Sequence, residues 1–308
     1  MCTRLLTTLL LLVPCATLAY PILPQTVWHL TKDAEAVVYA SVEDVKPIAH
    51  HEENWNETVA VLQVEDVWKG EAPKTIEVRF DPDMTCPAPA FFVKGRRVAA
   101  FLGKFKDGAW GAVGLSYGTR YPASDVERAE LKRAVQHAVA LQREGVEATD
   151  QRWGLEAYAS PSLRWDARYQ LQYPLRNVQP KDDVIPPDGV ISPALYAELE
   201  KRFLARPSYD DEVLQALRLF QKRPSKALDV VFADVIESVL AYEVAPMWTR
   251  MALELLGERL APGVKLDFLE TPRANVEEDE ASQLRWQDFK KHFKLSPKRR
   301  ADHPRASK

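Results

Sequence analysis

The sequence predicts an α+β chain in two parts. A five-stranded OB-like β-barrel comes first, followed by an all-α region that is either a HEAT-like array of helix pairs or an irregular helical bundle. Three observations lead there. Period-two alternation and β-branched runs fill the residues up to about 121, with no strong helix among them. From Ser124 onward the apolar residues recur at three- and four-residue spacing. The 308 residues, 46% apolar and 28% charged, suffice for two cores and do not have the composition of a disordered chain.

The chain begins with one positive charge (Arg4), an apolar stretch Leu5–Leu18 and a small residue, Ala19, ahead of Tyr20-Pro21. This pattern predicts a secretory signal peptide cleaved after Ala19. The stretch is too short to span a bilayer core of about 30 Å, and Pro14 interrupts it. The competing reading is a lipoprotein signal ending at Cys15, which would place Pro14 where a small residue is wanted. The expectation is export, secreted or periplasmic, with no transmembrane segment in the mature chain. Cys86 is then the one cysteine left, so no internal disulfide can form. The expected divisions are a signal peptide at 1–19, the barrel at 20–122, a connecting helix at 123–150, a helical domain at 151–294 and a basic tail at 295–308.

Five strands are expected. Ala36–Val45 is β-branched, and in Glu57–Trp68 the residues Ala60, Leu62, Val64 and Trp68 share one parity. Lys74–Phe80 alternates Ile76, Val78 and Phe80 against Thr75, Glu77 and Arg79, after the turn-forming Lys69-Gly70-Glu71-Ala72-Pro73. Arg97–Gly103 is a continuous apolar run, as a strand buried on both faces would be, and Ala109–Val113 follows the turn Lys106-Asp107-Gly108. Five such strands close into a barrel that leaves no free edge. Trp28, Trp68 and Trp110 fall in or beside them and read as barrel core.

The ordered pieces DAEAVVYASV (Asp33–Val42), VEDVWKGEAPKTIEV (Val64–Val78), the Cys86 loop, KGRRVAAFLG and Gly118–Arg120 resemble bacterial netrin-like domains, the OB-fold relatives of the tissue inhibitors of metalloproteinases. The resemblance covers about Gln25–Tyr121. It implies a five-stranded barrel of the OB type. In the inhibitors an N-terminal cysteine grips the protease zinc; a mature chain starting at Tyr20 has none there, so that chemistry is not implied here.

Ser124 and Glu127 form a capping box ahead of Leu131, Ala134, Val135, Ala138 and Leu141. After a looser segment, Ser160-Pro161 and Ser192-Pro193 each read as an N-cap with Pro at the first helical position. Further helices are expected over Ser208–Gln221, Ser225–Glu243, Pro246–Leu260 and Glu277–Lys294, the last with Leu284, Trp286 and Phe289 as apolar contacts. Starts at 160, 192 and 225 are about 32 residues apart, the length of a two-helix unit.

No motif carries a reaction. The histidines sit in no metal-ligand spacing and Cys86 has no cysteine partner; GxSxG, SxxK, Walker and GxGxxG patterns are absent. Asp81-Pro82-Asp83 reads as a plain turn. The charged residues Arg152, Glu156, Arg164, Asp166 and Arg168 around Trp153 and Trp165 read as a structural network. No catalytic residue, metal ligand or cofactor is expected. Trp55, His50 and His51, in the loop before the second strand, are the residues expected to touch a partner. From Lys290 to Lys308 stand eight Lys/Arg against one Asp. This reads as a solvated tail, and export excludes nucleic acid as its partner. The expected function is a non-enzymatic binding or scaffold module, with a protein as partner. The alternatives are a hydrolase or metal-dependent enzyme whose site assembles only in three dimensions, and a protease inhibitor of non-standard mode.

Overall fold

The computed structural model describes residues 24–48, 58–84, 88–145, 149–172, 192–208, 212–240, 246–270 and 277–298. The expected signal segment, Trp55, His50, His51, Cys86 and the end of the basic tail lie outside the described residues. The chain divides into two compact units: one from His29 to Pro122, the other from Ala123 onward together with Thr26–Trp28.

The first unit is a closed five-stranded barrel. Its strands are β1 (Ala36–Pro47), β2 (Thr58–Lys69), β3 (Thr75–Phe80), β4 (Arg97–Lys104) and β5 (Trp110–Ala112), with a two-residue β6 (Thr119–Arg120) on β4. They pair in the order β1-β2-β3-β5-β4, and β4 returns to β1 to close the ring. All these pairings are antiparallel except β3 with β5. This is the OB-like barrel the alternation predicts.

Inside lie Val38, Ala40, Ala60, Leu62, Ile76, Val78, Val98, Ala100 and Leu102. β4 is buried on both faces, with Val98, Ala99, Ala100, Phe101 and Leu102 all at 0% exposure. Phe80 is only half-buried, packed on the core edge with its ring 5.2 Å from that of Phe92.

Trp68 departs from its expected parity. Where β1 meets β2 the partners step from Lys69 to Val67 and from Asp66 to Val64, so Trp68 and Glu65 are extra residues in β2. Each such bulge shifts the alternation by one. Trp68 thus turns away from the inner residues and stacks on Tyr39, with ring centroids 5.8 Å apart.

The Trp-Lys-Gly sequence at this end of β2 serves the short helix α1 (Val27–Asp33). Lys69 Nζ donates to the carbonyls of Thr31 and Ala34, both at 2.5 Å, closing off the helix end. Gly70 then turns with φ +70, where a Cβ would stand 2.1 Å from the Glu35 carbonyl oxygen. Only glycine fits there.

In the helical unit the elements are α2 (Asp125–Glu144), α3 (Thr149–Ala157), α4 (Arg164–Gln172), α5 (Pro193–Ala205), α6 (Glu212–Leu219), α7 (Lys226–Val239), α8 (Pro246–Leu260), α9 (Asp267–Glu270) and α10 (Glu278–Phe293). The caps at Ser124 and Ser192 form as expected, and Ser225 caps α7 in the same way, each hydroxyl accepting from the amide three residues on. Ser160 does not cap; Pro161–Leu163 is a 3₁₀ turn. In α10, Trp286 and Phe289 are buried but Leu284 is exposed.

Trp28 belongs to this unit and not to the barrel core. Its ring lies 6.1 Å from that of Trp153, and its carbonyl accepts from Gln142. Asp166, buried at the start of α4, accepts from the Val27 amide at 2.7 Å. Arg152 and Glu156, expected in one network with it, pair instead with Glu144 and His137.

Helix α3 falls in the segment read as looser. Beyond it, the principal contacts join helices one or two apart in the chain: α3 with α5, α4 with α6, α5 with α7, α6 with α8 and α8 with α10, together with the sequential pairs from α2 to α4 and from α6 to α10. Contacts confined to near neighbours are the pattern of a stacked array. In that stack Pro193 and Lys226 open helices of the same row, whereas the start near 160 opens a helix of the other row. The apparent 32-residue period across all three is therefore not a structural repeat.

Two buried arginines seal helix ends. Arg164, 1% exposed, donates to the carbonyls of Tyr158 and Arg206 and to the Ser208 hydroxyl, with its guanidinium 5.0 Å from the centre of the Phe203 ring. Arg259, its side chain also 1% exposed, donates to Asp229 at 2.6 Å and to the carbonyls of Phe220 and Ser225, over Phe232. Carbonyls at helix C-termini have no partner within the helix, and a cation held over an aromatic ring supplies one.

Candidate functional site

The barrel carries an open groove of about 600 Å³ across the outer side of β3. Lys46 to Ile48, at the end of β1, form one wall; Ala109 and Trp110, at the start of β5, form the other. Val59, Thr75, Glu77 and Arg79 lie between them. This placement follows from the pleat. Ile76 and Val78 turn inward to the core, so Thr75, Glu77 and Arg79 must turn outward.

Each cation in the groove has an anion beside it. Lys46 Nζ lies 3.5 Å from Glu77, and Arg79 donates to Asp107 Oδ2 at 2.7 Å. The Ala109 backbone N–H, with the Arg79 guanidinium adding, holds the Asp107 carboxyl below the usual carboxylate range. Lys104 covers the Trp110 ring at 4.9 Å. Among the described residues the trough is thus part-apolar with its charges paired.

His50, His51 and Trp55, the residues expected to touch a partner, fall between Ile48 and Thr58 and lie outside the described residues. Lys46, Arg79 and Trp110 could not be read in the sequence as one surface, because they acquire it only when β3 pairs in parallel with β5.

β3 also has a partly open edge. Its ladder with β2 runs from Thr75 to Phe80, whereas β5 meets only Val78 and Arg79. The stretch Thr75–Glu77 thus borders the groove on the side away from β2.

A second cleft, of about 320 Å³, lies within the helical unit. Its floor is Ala134, Trp153, Ala157 and Leu163; its polar residues are Glu130, Arg133, His137, Glu156, Ser160 and Arg206. Glu130, 8% exposed, accepts from Arg206 Nη1 on one oxygen and from the Ser160 hydroxyl on the other. His137 Nδ1 faces Glu156 at 3.2 Å. Ser160 therefore gives its proton to a carboxylate already held by a guanidinium, and the imidazole is directed to a different carboxylate. This is not the arrangement of an activated serine.

Among the described residues no group of His, Cys, Asp and Glu is placed to hold a metal ion, and no helix is long and apolar enough to cross a membrane. Asp81 acts as a turn residue, its carboxylate accepting from the Asp83 amide at 2.9 Å. The chain matches no protein-family model and no curated protein.

Proposed function

We propose that the protein is an exported, non-enzymatic binding module whose barrel groove holds an extended segment of a partner protein. The observation that carries this reading is where the groove lies. It crosses β3 between the end of β1 and the start of β5, and small barrels of this strand order hold extended ligands on that face. The open edge at Thr75–Glu77 offers backbone partners to a polypeptide, in the manner of strand addition. Pro47 and Pro73 at the rim leave the approach free of competing amide donors. The resemblance to netrin-like domains agrees with a protein partner.

A photo-crosslinking residue at Thr75, in the full chain produced by the native host, is expected to give a discrete adduct that weakens on Lys46→Glu. The same probe at the exposed Ala129 of α2 is expected to give none. Equal, diffuse adducts at both positions would overturn the reading.

Export rests on the apolar stretch Leu5–Leu18 and on Ala19. Intact-mass measurement of protein from the native host is expected to show a chain beginning at Tyr20. A species retaining Met1, or one lipidated at Cys15, would contradict it.

A further inference from the structure

The geometry points to the cleft of the helical unit as a binding site for a small organic carboxylate, a site separate from the barrel groove and argued independently of it. The hydrogen-bonding capacity left unused in the cleft carries the inference. The buried acceptor is taken: both oxygens of Glu130 are engaged, by Arg206 and by Ser160, while the exposed Glu156 turns one oxygen to His137. The donors are not. Arg133, exposed on the rim one turn before His137, has no hydrogen-bond or ion-pair partner among the described residues. Arg206 uses Nη1 for Glu130, and its Nε and Nη2 have no partner among the described residues. A guanidinium carries five N–H donors and no acceptor. Two guanidinia with spare donors, beside a buried carboxylate already satisfied, complement an acceptor-rich anion.

The floor selects among anions. Ala134, Ala157, Leu163 and the exposed Ala159 give the cleft an apolar lining, with Trp153 fully buried beneath them and its indole N–H spent on the Ala134 carbonyl at 2.9 Å. An inorganic ion would leave that floor uncovered. A carboxylate bearing an apolar body covers it while its oxygens meet Arg133 and Arg206. Buried Glu130 contributes by fixing Arg206: a guanidinium tied at one nitrogen presents the others in a set direction.

The test is calorimetric titration of the full chain with phenylacetate, its neutral analogue phenylacetamide, and inorganic phosphate. Phenylacetate is expected to bind, with phenylacetamide and phosphate each weaker by about tenfold or more, the loss that accompanies removal of a charged hydrogen-bonded pair or of apolar contact. Arg133→Ala is expected to weaken phenylacetate by a similar factor, with Arg133→Lys in between. Arg133 is exposed, so its removal leaves the fold intact, which an unchanged circular-dichroism spectrum checks. Added salt is expected to weaken binding. The inference is overturned if phenylacetate gives no binding heat, if phenylacetamide or phosphate binds as well, or if Arg133→Ala changes nothing. Lys46→Glu in the barrel groove is expected to leave the titration unaltered, so failure here and failure of the groove reading are separable.

Discussion

Replacing Arg259 by alanine is expected to destabilise the helical unit by about 3–5 kcal/mol, the range for breaking a buried charge pair from one side. The side chain is 1% exposed and serves Asp229 together with the Phe220 and Ser225 carbonyls. Its removal leaves the Asp229 carboxylate without its guanidinium, takes a second donor from the Phe220 and Ser225 carbonyls, and opens a void beside Phe232. Arg250, on the same helix, is the internal control. It pairs with Glu254 at 2.7 Å, but both side chains are 48% exposed, so Arg250→Ala is expected to cost no more than about 0.5 kcal/mol. Urea unfolding followed by the helical circular-dichroism signal compares the two. Equal shifts in midpoint would mean that the buried arginine holds nothing together.

In the barrel, Ile76→Ala is expected to cost about 2–5 kcal/mol, as deletion of a buried aliphatic side chain does, while Glu77→Ala stays within about 0.5 kcal/mol. Ile76 is 1% exposed and faces the core opposite Leu62. Glu77, its side chain 64% exposed, meets only Lys46 across the groove. A one-residue slip of β3 would exchange the two faces, so the contrast between these neighbours reports the register directly. Amide hydrogen exchange across β3 in the full chain reads it without interference from the helical unit. Phe80 is the weaker probe, because its ring lies at the edge of the core and is half-buried.

Regular alternation made the barrel legible, and the continuous run Val98–Leu102 correctly announced a strand buried on both faces. Trp68 was misplaced because the two extra residues in β2 are set by pairing with β1, a non-local fact. Helix α3 escaped notice for a different reason. Its sequence has few apolar residues and a glycine at its middle, which reads as a break. In the fold that glycine permits close packing: a Cβ on Gly154 would lie 3.0 Å from Leu171 and 3.2 Å from the Ala167 carbonyl. The rhythm of starts at 160, 192 and 225 misled in the opposite direction, joining helices of different rows. Neither site could be read ahead of the fold. Arg79 and Trp110, or Glu130, Ser160 and Arg206, are far apart in the chain and share no spacing that a motif could record.

The two arginine clamps reach in opposite directions along the chain. Arg164 grips the Arg206 carbonyl, 42 residues later, whereas Arg259 grips the Phe220 carbonyl, 39 residues earlier. For a polypeptide made from its N-terminus, this sets a timetable. The end of α5 finds its donor already waiting as it emerges from the ribosome. The end of α6 has to wait for its arginine until residue 259 is synthesised, so until α8 arrives the Phe220 carbonyl is held by the Arg223 amide of its own turn and by no donor from later in the chain.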